Sequence, residues 1–145
     1  MDDRDDREVG VRAALAAHAR AAFPHECCGY VTAGGVVPCT NVAAEPAVAY
    51  EIGGAELLAL VRGLGGPGGA LAIYHSHTNG RAYFSARDAA IAATASGPVY
   101  PVEHIVVGVT ATGVAETARF AWSGAAGAYV EVARWAGDAL ALTSR

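Results

Sequence analysis

The amino-acid sequence predicts an α+β fold, a single domain in which one curved mixed β-sheet packs against about three helices. Three observations support this. The 145 residues suffice for one core that buries most of its apolar surface, and they are too few for two ordinary ones. Short apolar runs bounded by glycine turns are interspersed with stretches of helical periodicity. No internal repeat and no second domain is evident along the chain.

Residues 1–8, almost all charged, read as a disordered acidic start. The domain is expected over residues 9–135, followed by a C-terminal tail over 136–145. From Val9 to Phe23 good helix formers dominate, with Val11, Leu15, Ala19 and Ala22 at roughly helical spacing and Arg12 and Arg20 off that stripe. Pro24 stops the helix. His25 to Thr32 reads as the first strand, Ala33-Gly34-Gly35 as a turn and Val36 to Val42 as the hairpin partner. After Asn41 a loop leads to a short extended segment at Tyr50 to Ile52. Gly54 to Leu64 turns helical, with Leu57, Leu60, Val61 and Leu64 on one side.

Gly65-Gly66-Pro67-Gly68-Gly69 connects this helix to an apolar run, Ala70 to Ile73, which predicts a buried strand continuing through two histidines. The connector lacks the Lys-Ser/Thr ending of a phosphate loop. A third helix is expected from Ser85 to Ser96, ended by Gly97-Pro98. His104 to Val109 and Val114 to Trp122 form the next strands around a turn, with a last strand at Tyr129 to Val132 and a short helix or tail from Trp135 to Arg145.

The net charge of −4 and the absence of Lys/Arg clusters argue against nucleic acid or an anionic membrane as the main partner. Three cysteines, two of them adjacent, do not make a disulfide framework. A reducing cytoplasm is the simplest setting. The charged first residues do not form a signal peptide, and no run approaches roughly 18 uninterrupted apolar residues.

The chemistry concentrates in Tyr74 to Asp88. His75 and His77, two apart at a strand end, face the same side. Ser85 and Asp88 share one face of a first helical turn. Two imidazoles and a carboxylate from rigid elements, with a fourth position left for water, make a catalytic zinc site. Each member also has a plainer role: a histidine at a strand end is usually a hydrogen-bonded imidazole, and Ser-x-x-Asp at a helix start is a capping box. The two roles of Ser85 are compatible. His18, His25 and His104 fall outside the set, as do Cys27 and Cys28, which lack the spacer that lets two thiolates reach one zinc. Structural roles are expected for both cysteines.

His75-Ser76-His77, then Ser85 and Asp88, with Glu26 upstream in Glu26-Cys27-Cys28-Gly29, resembles the motif of the JAMM (MPN-plus) metallopeptidases over about Val9 to Glu131. Many members carry proline where this chain has Thr78, and often where it has Phe84. Tyr74 to Thr78 followed by Ala82-Tyr83 and Ser85 is similar to the bacterial branch that hydrolyses cysteine from the C-terminus of a ubiquitin-like sulfur carrier protein.

The resemblance implies a single JAMM/MPN-like (cytidine-deaminase-like) domain. It also implies Zn2+ as cofactor on His75, His77 and Asp88, Glu26 as general base and Ser85 as donor to the reaction's oxyanion. The implied partner is a ubiquitin-like sulfur carrier ending in Gly-Gly, with cysteine release favoured and trimming of a carrier precursor the alternative. A non-catalytic MPN interaction module expects a broken ligand set, whereas here all five residues are present. A general hydrolase of small amides and a homodimer stay open. In the loop before Ser85, Arg81 and Tyr83 are candidates for substrate contact, and Phe84 for packing the loop down.

Overall fold

The computed structural model describes residues 3–137. Helix α1 (Asp3–Ala22) precedes a hairpin, β1 (Cys28–Thr32) and β2 (Gly35–Cys39), and then helix α2 (Gly54–Gly63). Strand β3 (Ala72–His77) leads to helix α3 (Ala86–Ala92), a two-residue hairpin of β4 (Ala93–Thr94) and β5 (Gly97–Pro98), and a meander of β6 (Glu103–Thr110), β7 (Gly113–Ser123) and β8 (Ala128–Ala136). The main sheet has the order β2-β1-β3-β6-β7-β8. Only β3 and β6 run parallel within it, so the sheet is mixed, as expected. Among the described residues no helix is long and apolar enough to cross a membrane.

Every residue of β3 is buried, the signature of a central strand covered on both faces. One face packs Ala72 and Tyr74 with Ile105 and Val107 against Leu15, Ala16 and Ala19 of α1. On the other face Ile73 joins Cys28, Leu60 of α2 and Val102. Alternation along β3 therefore puts His75 and His77 on the face away from α1, at the strand's C-terminal end.

Several element boundaries differ from expectation. Helix α1 begins at Asp3, so residues 3–8, expected to precede it, belong to it; the Glu8–Arg12 pair at 2.7 Å is the i,i+4 contact that lets a charged segment extend a helix. Helix α3 stops at Ala92, although the alanines that follow favour helix. The Thr94 hydroxyl accepts from the Ser96 N–H, closing a local turn that competes with the helical ladder, and Ala93 and Thr94 pair with Pro98 and Gly97 instead. Strand β1 begins at Cys28 rather than His25, and β2 ends at Cys39. Strand β8 is longer than expected and takes in Trp135, because its full length pairs with β7. The remainder of the expected tail, from residue 138, lies outside the described residues.

Candidate metal centre

The Nε2 atoms of His75 and His77 lie 3.2 Å apart. Asp88, three residues past the N-cap of α3, brings Oδ1 to 3.2 Å from His75 Nε2 and Oδ2 to 3.1 Å from His77 Nε2. All three side chains are buried, and their ligand atoms lie within 4.8 Å of one another. Two atoms bound at about 2.0–2.1 Å to one tetrahedral zinc stand about 3.3 Å apart. The observed spacings match that geometry, and two imidazole nitrogens plus a carboxylate oxygen match its donor chemistry. The cluster can hold a metal ion.

Neighbouring groups set each ligand's orientation. His77 Nδ1 lies 3.1 Å from the Arg81 carbonyl, a contact that places the proton on Nδ1 and leaves the Nε2 lone pair facing the cluster. The His75 ring lies flat against Tyr50, with centroids 4.3 Å apart and planes at 17°. Burial pushes the His75 pKa down against the opposing pull of Asp88. For His77 burial also pulls down, but the Asp88 hydrogen bond and charge outweigh it and the net shift is upward. Burial alone would raise Asp88; the hydrogen bonds from the two histidines and from the Ser85 N–H hold it well below the usual carboxylate range. Asp88 is therefore ionised, as a ligand must be.

Ser85 and Asp88 form a reciprocal capping box. The Ser85 Oγ accepts from the Asp88 N–H and Asp88 Oδ2 accepts from the Ser85 N–H, both at 3.0 Å. Used only as an acceptor there, the Ser85 hydroxyl keeps its own hydrogen free to donate. Tyr83, 45% exposed, tilts over His77 at 4.7 Å between centroids. Phe84 packs against Phe120 and Tyr129, as expected.

Glu26 precedes β1 and is buried. Its N–H donates to the Pro46 carbonyl at 2.7 Å, and its own carbonyl accepts from Asn41 Nδ2 at 2.9 Å. The adjacent Cys27 is tied to the histidine strand on both sides: its N–H donates to Ser76 Oγ at 2.8 Å and its carbonyl accepts from the Ser76 N–H at 3.1 Å. Ser76, on the opposite face from the histidines, thus positions Glu26 through the backbone. Burial raises the Glu26 carboxyl to about 7, opposed by the nearby His77. Glu26 stands outside the ligand cluster and shares with His77, Tyr83, Ser85 and Asp88 the walls of a cavity of about 330 Å³.

The loop that frames this cavity is held from several sides. Thr78 Oγ1 donates to the Ala47 carbonyl at 3.1 Å. The Ala82 N–H donates to Glu116 and the Ala82 carbonyl accepts from Arg134, which also pairs with Glu116 at 3.0 Å. Strands β7 and β8 therefore anchor a loop of the site. Gly108 of β6 lets the backbone at Gly80 and Arg81 approach, since a Cβ there would sit 2.5 Å from the Gly80 carbonyl carbon and oxygen. A larger cavity of about 770 Å³ lies on the α1 side of the sheet and contains none of the cluster.

All five residues singled out from the sequence, Glu26, His75, His77, Ser85 and Asp88, thus come to one place. His25 is exposed, and His18 Nδ1 lies 2.6 Å from the Tyr74 hydroxyl on the opposite face. The three thiols are buried and free, with burial raising Cys27 and Cys39 to about 11 and Cys28 to about 12, which suits structural roles. Sequence reasoning missed Tyr50 and Asn41. Asn41 holds the Glu26 and Ala49 carbonyls with its amide nitrogen and the N–H groups of Ala43 and Glu51 with its oxygen, fixing the segment that carries Tyr50. Nothing in local spacing announces either residue.

The fold and the cluster together define an α+β domain with side chains able to hold a metal ion at the end of a central strand. The chain belongs to the prokaryotic homologs of the JAB domain, a family matched over residues 8–123. It is similar in fold to the solution structure of protein DSY2949 from Desulfitobacterium hafniense, with 21% identity, 84% of this chain and 85% of that one covered, and a TM-score of 0.57. A solution structure of a protein from Salinibacter ruber is 19% identical over 89% of this chain and 86% of that one, with a TM-score of 0.48. No curated protein matches the chain.

Proposed function

We infer that the protein is a zinc-dependent peptidase that hydrolyses an amide bond after the C-terminal Gly-Gly of a ubiquitin-like sulfur carrier protein, releasing cysteine from a carrier-cysteine adduct. The observation that carries the hydrolytic reading is the buried Glu26 carboxyl beside the His75-His77-Asp88 cluster, lining one cavity with His77, Ser85 and Asp88. The carrier and the cysteine rest on the likeness of residues 74–85 to the JAMM branch described above.

His75, His77 and Asp88 would hold the zinc, which supplies Lewis acidity and makes water nucleophilic near neutral pH. Glu26 takes the proton of the attacking water and returns it to the leaving amine. As a carboxylate it accepts that proton and as a carboxylic acid it gives it up, so one side chain serves both steps. The Ser85 hydroxyl donates to the oxygen that becomes an anion as the carbonyl turns tetrahedral. Arg81, through its carbonyl, keeps the His77 ring turned toward the cluster. Tyr83, half-exposed over His77, offers a surface for the flexible tail.

The test is intact-protein mass spectrometry of a Gly-Gly-ending sulfur carrier extended by cysteine, incubated with zinc-loaded enzyme or its Glu26→Gln variant. Loss of one cysteine mass with the unmodified enzyme alone is the expected result. A fully active Glu26→Gln variant sinks the mechanism. Absence of cleavage of the cysteine adduct, with cleavage of a longer precursor tail, replaces cysteine release by tail trimming. A preparation that binds no zinc returns the chain to an interaction module.

A further inference from the structure

Next to the cavity of the cluster lies a second cavity, also of about 330 Å³, and the two share Tyr50, Arg87 and Ile91 among their lining residues. Its remaining walls are mainly apolar and include Ile52, Leu57, Ile73 and Tyr100. Among the described residues its one buried polar wall residue is His104, 5% exposed. The His104 Nδ1 has no hydrogen-bond partner among the described residues. The ring is held by Phe84 at 5.3 Å and Tyr129 at 4.8 Å between centroids. A core histidine normally satisfies both nitrogens, so a buried Nδ1 without a partner among the described residues, on a ring that lines an apolar cavity, asks for an explanation. Burial lowers the His104 pKa to about 4, which keeps the ring neutral and able to accept as well as donate at physiological pH.

We propose that this cavity is the subsite for the side chain of the residue released by hydrolysis, selecting an apolar or thiol-bearing side chain. This rests on the Gly-Gly reading: the two residues on the carbonyl side then carry no side chains, so discrimination near the scissile bond falls to the residue beyond it. The cavity has the chemistry for that. Its size is at the small end for ligand sites and leaves ample room for one side chain. Its walls reward apolar surface and penalise an unpaired charge. Neutral His104 can accept a weak hydrogen bond from a thiol. Exposed Arg87 and Glu51 stand among the lining residues, leaving the interior without a buried counter-charge for a lysine or aspartate.

The experiment measures kcat/KM on carriers ending in Gly-Gly-X, where X is Ala, Cys, Leu, Asp or Lys, for the zinc-loaded enzyme and for Leu57→Trp, which fills the cavity from α2 without touching the cluster. In parallel, the imidazole 15N signals of His104 are followed while Gly-Gly-Leu and Gly-Gly-Asp tripeptides are titrated into the protein. The expected result is a preference of about 100-fold for Cys and Leu over Asp and Lys. Leu57→Trp should lose Leu while keeping Ala, and the His104 signals should move with Gly-Gly-Leu alone. Cleavage indifferent to X in both proteins overturns the subsite, whatever the imidazole does. If no carrier is cleaved but His104 still responds only to Gly-Gly-Leu, the subsite stands and the proposed reaction falls; silence in both overturns both.

Discussion

The Tyr50 ring lies flat on the His75 imidazole, 4.3 Å between centroids and 17° between planes, and among the described residues the His75 Nδ1 has no hydrogen-bond partner. A ligating histidine is ordinarily oriented by a hydrogen bond from its second nitrogen. Here aromatic packing takes that place. Tyr50→Leu should therefore weaken metal binding by about 10- to 100-fold, the usual effect of losing an outer partner, whereas Tyr50→Phe should retain it. Titration against a zinc-binding chelator distinguishes the two, with circular dichroism checking that both variants fold. Equal affinities for Leu and Phe would show that the stack is incidental.

The proposed mechanism adds a second, separable load to the cap that Ser85 provides. As N-cap of α3 it satisfies the Asp88 N–H, and removal of such a cap costs about 1 kcal/mol. As an oxyanion donor its removal costs about 100- to 1,000-fold in rate. Ser85→Ala should lower the melting temperature by only a few degrees and yet reduce kcat by the larger factor. A cap loss of that size leaves nearly all molecules folded, so instability cannot mimic the kinetic effect. A kcat within a few-fold of the unmodified enzyme would leave Ser85 a cap alone.

How much of this was legible follows from where each residue gets its position. His75 and His77 are placed by alternation within one strand, and Ser85 and Asp88 by one helical turn, so spacing alone announces them. Glu26 lies before its strand, in a loop held by Asn41 and Ser76, and only the resemblance pointed to it. Tyr50 and Asn41 act through contacts with residues distant in sequence, which no window of spacing contains. The end of α3 was misread because alanine propensity yields to the Thr94-Ser96 turn and the β4–β5 pairing. His104 had a signal: Val102, His104 and Val106 alternate in sequence, and a histidine between two buried valines on one face of a strand is itself buried.

That burial makes His104 a pH-dependent liability. Its pKa falls from the ordinary 6.5 to about 4 in the folded protein, chiefly through burial and secondarily through the neighbouring His75 charge, with Asp88 opposing. Between those values the unfolded chain binds a proton that the folded one refuses, so stability declines as pH drops from about 6.5 to about 4 and is unaffected above this window. The full effect is on the order of 3 kcal/mol. His104→Phe should flatten that slope relative to the unmodified protein, measured as denaturant midpoints across pH 4 to 7, because the cluster's own titrating groups are common to both. Parallel slopes would mean that His104 takes up its proton as readily in the folded state as in the unfolded one.

Gly108 tests whether the cluster depends on the backbone beneath it. Gly108 is the parallel partner of His77, and a Cβ on it would meet the Gly80 carbonyl carbon and oxygen at 2.5 Å and the Arg81 nitrogen at 2.7 Å. These are backbone atoms and cannot swing aside. The Arg81 carbonyl that orients His77 Nδ1 belongs to the same segment. Gly108→Ala should therefore lift the loop, destabilise the fold by about 1–3 kcal/mol through overpacking, and weaken metal binding although no ligand has changed. Denaturant unfolding reads the first effect and chelator competition the second. A variant destabilised as expected but with unchanged metal affinity would separate the loop from His77, leaving the Asp88 contact and the strand itself to hold the ring in place.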